Sequence, residues 1–489
     1  MKTRTETDYI GSLEIPEDAY YGVQSLRAKN NFVMTGRTLD PVFIESLTQI
    51  KKAAAVTNRA AGRLAPEKAD AIVRACDEIL AGKFRDQFIV DPVQGGAGTS
   101  ANMNANEVIA NRAAELLGGR KGDYSAVHPN DDVNMAQSTN DVIPTAGKLT
   151  VLRLLSPAAA ALGRLAEALA AKADEFDDVL KMGRTQLQDA VPIRLGQEFA
   201  AYAGVVRRDA ARLGRVQDEM RAVSLGGTAV GTSLNASPFY VEHITENLRK
   251  ATGLELRRAE DLVDATQNLD GFTAVSGALK CCAVDLSKIA NDLRLLSSGP
   301  RTGIMEISLP AVQNGSSIMP GKVNPVIPEV VSQAAFDIAG NDLTITMAAE
   351  AGQLELNAFE PVLFYRLFES IRCLRGAVSA FAERCVAGIK ANRGVCRRHL
   401  QESVGTVTAL CPYIGYVRSA RLARESLRSG VPVMELAARE GVLSGQKLRA
   451  VLNPAAMTGA SRARRRGVSC GAGKPEADGP DGRLKKAAE

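Results

Sequence analysis

The 489-residue sequence has no tryptophan and only 4% aromatic residues, so its core has to rest on Ala, Leu, Val and Ile. Such a core suits helices packed side by side. Histidine is nearly as scarce: His128, His243 and His399 lie far apart, so a histidine metal cluster is not expected. The eight cysteines include no C-x-x-C pair, so free thiols are expected and metal catalysis is disfavoured. No stretch reaches the roughly 18 apolar residues of a membrane span, and Met1 to Asp8 is polar and charged, unlike a signal peptide. These absences point to a soluble, cytoplasmic protein with no membrane partner.

Basic residues exceed acidic ones by five, but the excess is local. Ser461 to Glu489 holds eight basic and four acidic residues, so the body is close to neutral. The run Arg462, Arg464, Arg465 and Arg466 lies in a Gly-, Pro- and Ala-rich tail with few apolar residues, which reads as a solvated, disordered tail and not a nucleic-acid site.

Apolar periodicity dominates the rest. Leu195, Phe199, Tyr202, Val206, Ala210, Leu213, Val216, Met220 and Val223 step by threes and fours, predicting one helix of about 30 residues from Pro192 to Val223, about 45 Å long. Val275, Leu279, Cys282, Leu286, Ile289, Leu293 and Leu296 predict a second, starting near Thr266 and ending before Ser297, Gly299 and Pro300. Further helices are expected at Leu152 to Leu180, interrupted near Pro157, and at Pro328 to Glu350. Helices this long need partners of like length, so a mainly α fold with a long central bundle shared between subunits is expected. The expected division is an N-terminal domain (1–137), a central bundle domain (138–395), a small C-terminal helical domain (396–461) and the tail (462–489). The GGTAVG run at Gly226 to Gly231 has the wrong glycine spacing for a dinucleotide fingerprint, so no nucleotide cofactor is indicated.

Three segments put hydroxyls and amides where surface helices usually carry Lys and Glu. In QGGAGTSANMNANE (Gln94 to Glu107), glycines precede Thr99, Ser100, Asn102, Asn104 and Asn106 at a helix start. That arrangement suits a carboxylate site, because free N–H groups and the positive dipole end meet the anion; it equally suits a Gly-rich turn with a hydroxyl cap. In HPNDDVNMAQSTNDVIPT (His128 to Thr145), Gln137, Ser138, Thr139, Asn140 and Asp141 are five consecutive hydrogen-bonding side chains where one cap would suffice. GSSIMPGKVNPVIPE (Gly315 to Glu329) sets two hydroxyls beside a glycine, then Lys322 and Asn324 among prolines, a pattern that fits a binding loop or a structural one.

The eleven-residue run GSSIMPGKVNP resembles the signature of the fumarase/aspartase superfamily. The resemblance extends from about Asp8, through DAYYGVQSLRA and the three segments, to NPAAM near Asn453. It implies a three-domain, homotetrameric helical fold. GGAGTS, QSTND, GRTQLQDA (Gly183 to Ala190) and MAAEAGQLELN (Met347 to Asn357) resemble the aspartase branch, which implies deamination of L-aspartate to fumarate and ammonia. Hydration chemistry of the class II fumarate hydratase type is the alternative, and a non-catalytic helical scaffold with a basic tail is the alternative of another class.

By this resemblance Thr99, Ser138, Thr139 and Ser317 hold the β-carboxylate, Lys322 and Asn324 hold the α-carboxylate with help from Thr185 and Gln186, and Asn140 sits near the amino group. Ser316 is the implied base, and Glu329 matches an acidic residue that pairs with a histidine in the hydratases. Here that histidine is replaced by Gln186, which cannot transfer a proton at neutral pH, and this departure speaks against hydration. Val417 after YIGY and the TGAS following Met457 also depart from the usual pattern. No cofactor is implied, no metal ligand is assigned, and activation by Mg²⁺ is not legible in the sequence.

Overall fold

The computed structural model describes residues 2–315 and 318–459. Ser316, Ser317 and the tail beyond 459 lie outside the described residues. The fold is mainly helical. By spatial contact the chain forms two compact units, one from Met1–Leu169 with Ala201–Lys390, the other from Ala170–Ala200 with Ala391–Glu489. The boundaries at 137, 395 and 461 expected from the sequence remain a proposal.

The first unit opens with the hairpin β1 (Thr3–Thr7) and β2 (Ser12–Pro16), followed by α1 (Val23–Asn31), α2 (Pro41–Ala60) and α3 (Pro66–Leu80). Next come α4 (Thr99–Leu116), a π-helical turn at Pro129–Val133 and α5 (Thr139–Glu175), whose last turns pass into the second unit. α5 runs unbroken through Pro144 and Pro157, whereas the sequence predicted an interruption at Pro157. Each proline forfeits one backbone hydrogen bond, and the burial of Leu155, Leu162, Leu165 and Leu169 along one face outweighs that loss. Among the described residues α5 is the one helix long and apolar enough to cross a membrane, but most of that stretch is buried in the protein.

After the hairpin of β3 (Leu180–Thr185) and β4 (Gln188–Arg194), α6 covers Leu195–Val216 and gives way to a 3-10 turn at Gln217–Met220. It is shorter than predicted at both ends, because Pro192 to Arg194 pair in β4 and the chain tightens after Val216. Then follow α7 (Pro238–Thr252), α8 (Leu262–Gln267), α9 (Asp270–Leu296), α10 (Val326–Glu350) and α11 (Glu360–Arg384). The predicted stripe of α9 from Val275 to Leu296 is buried throughout, although the helix starts four residues later than expected.

α10 packs between α9 and α11, with Val331, Ala335, Ile338 and Ile345 buried. Phe364 of α11 lies so close to α5 that a Cβ at Gly147 would stand 2.4 Å from its ring, and it stacks among Phe43, Phe272 and Phe368 with centroids 5.0–6.0 Å away. The opposite face of α10 is an apolar stripe left in the open: Phe336, Leu343 and Met347 are 66%, 63% and 63% exposed.

The second unit combines the β3–β4 hairpin with α12 (Arg393–Glu402), α13 (Cys411–Ile414), α14 (Tyr416–Ser429), α15 (Val433–Arg439), α16 (Gly445–Val451) and α17 (Pro454–Met457). Its small core joins Leu410, Leu422, Val433, Leu436, Ala437, Leu448 and Leu452. Gly405 is required where it stands, since a Cβ there would lie 2.2 Å from the Ala190 carbonyl of β4.

Candidate functional site

The five-residue run Gln137 to Asp141 divides its labour at the N-terminus of α5. Asp141 turns inward and is fully buried: Oδ1 accepts the backbone N–H of Ser138, and Oδ2 accepts those of Gly226 and Thr228, each at 3.0 Å. Burial raises its pKa, against the pull of those three donors and of Lys51. The GGTAVG segment is therefore a strap onto α5. Asn140 completes it, its side-chain amide donating to the Ala229 carbonyl at 2.7 Å.

Ser138, Thr139 and Asn140 remain partly exposed at the positive end of a 37-residue helix. The Ser138 Oγ accepts the Asn140 N–H, and Thr139 Oγ1 lies 3.4 Å from Asn102 Nδ2 of α4. The sequence reading of Asn140 as a contact to an amino group meets a competing engagement here, since its amide is already bonded to Ala229.

Thr99 is exposed at the first position of α4, after Gly98 in the left-handed conformation at φ 85°. Not every N–H of that helix end is open to a ligand, contrary to the simplest reading of the segment. Gln94 folds over it, with Oε1 accepting the Ala101 N–H at 2.9 Å and Nε2 donating to the Asp91 carbonyl. The segments of α4 and α5 meet through Asn102, three residues beyond Thr99 on the helix.

Beneath them lies a feature the sequence reading missed. Lys51 of α2 is wholly buried, and its Nζ donates to Asn134 Oδ1 at 2.8 Å and Gln137 Oε1 at 2.9 Å. Asn134 Oδ1 also accepts from Asn102 and Asn106 at 3.2 and 3.3 Å. Burial lowers the Lys51 pKa to about 7. One signal was available: Lys51 occupies the apolar stripe of α2, four residues after Leu47 and three before Ala54, where a surface lysine does not belong.

Lys322 is exposed and Asn324 half-buried in the loop before α10, and a Cβ at Gly315 would overlap the Lys322 carbonyl, so only glycine fits there. Glu329 stands in the first turn of α10, 4.0 Å from Arg294. Thr185 and Gln186 are exposed at the tip of the β3–β4 hairpin in the second unit. Gln186 and Leu187 both hold left-handed backbone, φ 53° and 62°, where a tight hairpin normally uses Asn-Gly. Such strain in non-glycine residues is common at functional turns.

A cavity of about 960 Å³ flanks the Gln94 loop, lined by Gly98, Ile143, Phe43, Phe364 and Phe368 among others. Its cations are committed: Arg37 and Arg366 pair with Glu369, and Arg372 pairs with Asp40. The polar chemistry of the site lies instead at the α5 N-terminus. Among the described residues no group of three or more His, Cys, Asp or Glu side chains is placed to hold a metal ion.

The sequence matches the family model described as Lyase over residues 11–340 and that of the fumarase C C-terminus over residues 407–459. It is 54% identical to an aspartate ammonia-lyase of Bacillus sp, over 93% of this chain and 97% of the relative. It is 51% identical to one of Bacillus subtilis, over 93% of this chain and 96% of that one. Among solved structures, a Brucella melitensis protein described as fumarate lyase:delta crystallin, bound to cobalt, aligns with a TM-score of 0.90 at 54% identity, covering 93% of this chain and 99% of that one. A class II fumarase from Schistosoma mansoni aligns with a TM-score of 0.91 at 35% identity, covering 94% and 99%.

Proposed function

Because the chain belongs to the fumarase/aspartase superfamily of lyases, we infer that it is an ammonia-lyase that converts L-aspartate to fumarate and ammonia. Shape does not decide between this and hydration of fumarate, since the class II fumarase superposes as well as the Brucella protein. Residues decide it: identity is 54% towards an aspartate ammonia-lyase and 35% towards the fumarase.

The observation that carries the reading is the α5 N-terminus. Two hydroxyls, Ser138 and Thr139, stand at its positive pole, while Asn140 is engaged by Ala229 and the carboxylate of that segment, Asp141, is spent on backbone N–H groups. A site so built favours a carboxylate and favours still more the doubly negative enediolate that forms when the neighbouring carbon loses a proton.

On this reading Ser138 and Thr139 meet the β-carboxylate together with Thr99 and Ser317, and Lys322 and Asn324 meet the α-carboxylate with Thr185 and Gln186. Ser316 removes the proton from the carbon bearing the β-carboxylate, the electron pair is held in the enediolate, and its return to form the double bond expels ammonia. The serine acts as its alkoxide, which backbone N–H groups and a nearby cation must stabilise once water is excluded. Glu329, 4.0 Å from Arg294, is a supporting residue on this reading.

The protein acts as a homotetramer in the cytoplasm on this account. The exposed apolar stripe of α10 supports assembly, because an open row of Phe336, Leu343 and Met347 costs free energy until it is covered. The seven cysteines among the described residues are all free thiols, as suits a reducing compartment. Formation of fumarate from aspartate, followed by its ultraviolet absorbance, tests the proposal.

A further inference from the structure

A buried ammonium group persists only where an opposite charge meets it; otherwise it tends to lose its proton. Lys51 is fully buried, and the two groups that accept from its Nζ, Asn134 and Gln137, are neutral amides. No carboxylate bonds to Nζ among the described residues, and Asp141 attracts it only through space. Asp141 at the start of α5 spends both oxygens on backbone N–H groups, and Asp132 in the π-helical turn pairs with Lys68 at 2.7 Å. Cys76 of α3 and Tyr240 of α7 are fully buried, and burial pushes both upward, so they stay neutral. Lys52 turns away to Asp77.

What Lys51 does have is a short amide relay. Asn134 Oδ1, which accepts from Lys51, also accepts from Asn102 Nδ2, and Asn102 Nδ2 in turn reaches Thr139 Oγ1. The Oδ1 atoms of Asn102 and Asn106 are buried beside this relay without a hydrogen-bond partner among the described residues.

We propose that Lys51 is a positioning residue of the reaction, a buried cation bonded only to neutral amides, whose charged form the carboxylate of the bound substrate stabilises through Asn134, Asn102 and Thr139. The proposal rests on the reading of Thr139 as a carboxylate contact. In the empty site Lys51 is partly deprotonated near neutral pH, as its lowered pKa of about 7 allows. When a dicarboxylate arrives, the ammonium form is favoured and one proton passes from solvent to Nζ. Binding then weakens as pH rises.

Calorimetric titration of the full-length protein with succinate, a dicarboxylate that cannot eliminate, tests this at about pH 8 in two buffers of different ionisation enthalpy. The expected result is a binding heat that changes with the buffer, showing proton uptake, and an affinity that falls up to about tenfold per pH unit above neutrality. Lys51→Arg keeps its charge at every accessible pH. In that variant the uptake and the pH dependence of KM disappear, whereas Lys51→Met weakens succinate at least about tenfold at neutral pH. A merely structural lysine would lower stability without moving the proton count. Should both variants fail to fold, the parent titration still decides. Buffer-independent heat in the parent, or unchanged uptake in Lys51→Arg, overturns the proposal; if the parent nonetheless releases fumarate from aspartate, the lyase reading survives it. If succinate does not bind and no fumarate forms, both fall.

Discussion

Asp141 and Thr228, 87 residues apart, are joined by a hydrogen bond from the Thr228 backbone N–H to Asp141 Oδ2, 3.0 Å long. Thr228 holds a left-handed conformation at φ 57°, and the same Asp141 oxygen accepts from Gly226. One carboxylate therefore clamps a strained loop onto the helix end that carries the candidate binding side chains.

Asp141→Ala should orphan three buried N–H groups, each costing about 1–3 kcal/mol. A loss of about 3 kcal/mol or more in urea denaturation is expected, with activity falling at least about tenfold as the Asn140–Ala229 contact loosens. A variant within about 0.5 kcal/mol of the parent would show that the clamp is dispensable.

Lys51 also leaves a mark on stability in the absence of substrate. The unfolded lysine titrates near 10.5 and the folded one at about 7, so between these values the unfolded chain binds more protons and stability rises with pH. Below about 7 both forms are protonated and the contribution is flat. From about pH 7 to 9 the parent should gain up to roughly 1.4 kcal/mol per unit relative to Lys51→Met. A constant difference between the two across that range would mean that Lys51 titrates normally.

Phe336 and Leu343 lie on the same exposed face of α10, two turns apart, and are about two-thirds exposed. The double change Phe336→Glu and Leu343→Glu should leave the chain folded but split the assembly, because charges replace the apolar cover. Light scattering should report smaller species, and turnover should collapse with them. An intact assembly with parental activity would place the subunit contacts elsewhere.

Much of this was legible in advance, for identifiable reasons. The α9 stripe is a long periodic run on a helix packed along one whole side, so pattern and burial coincide. The Ser138 to Asp141 cluster stood out because it has more hydrogen-bonding groups than a cap can use. The continuity of α5 was not legible, since a proline's local cost is visible in sequence while the packing that overrides it is tertiary. The Lys51–Asn134–Asn102 relay was hidden for a like reason: its members come from α2, the turn before α5 and α4. Nor could the strained Gln186–Leu187 tip be foreseen from residues that usually avoid that conformation.

Ser316→Ala should reduce turnover by several powers of ten while succinate binding and assembly stay near parental values, because only the proton-abstracting group is removed. Near-normal turnover would reassign the base.

The most direct measurement compares L-aspartate and L-malate as substrates of the same preparation, following fumarate by its ultraviolet absorbance and confirming ammonia release. The account predicts rapid fumarate formation from aspartate with an equal amount of ammonia, and a catalytic efficiency on malate lower by at least about a thousandfold, because Gln186 offers no proton-transferring group. A higher kcat/KM for malate than for aspartate would contradict it and assign the site to hydration chemistry.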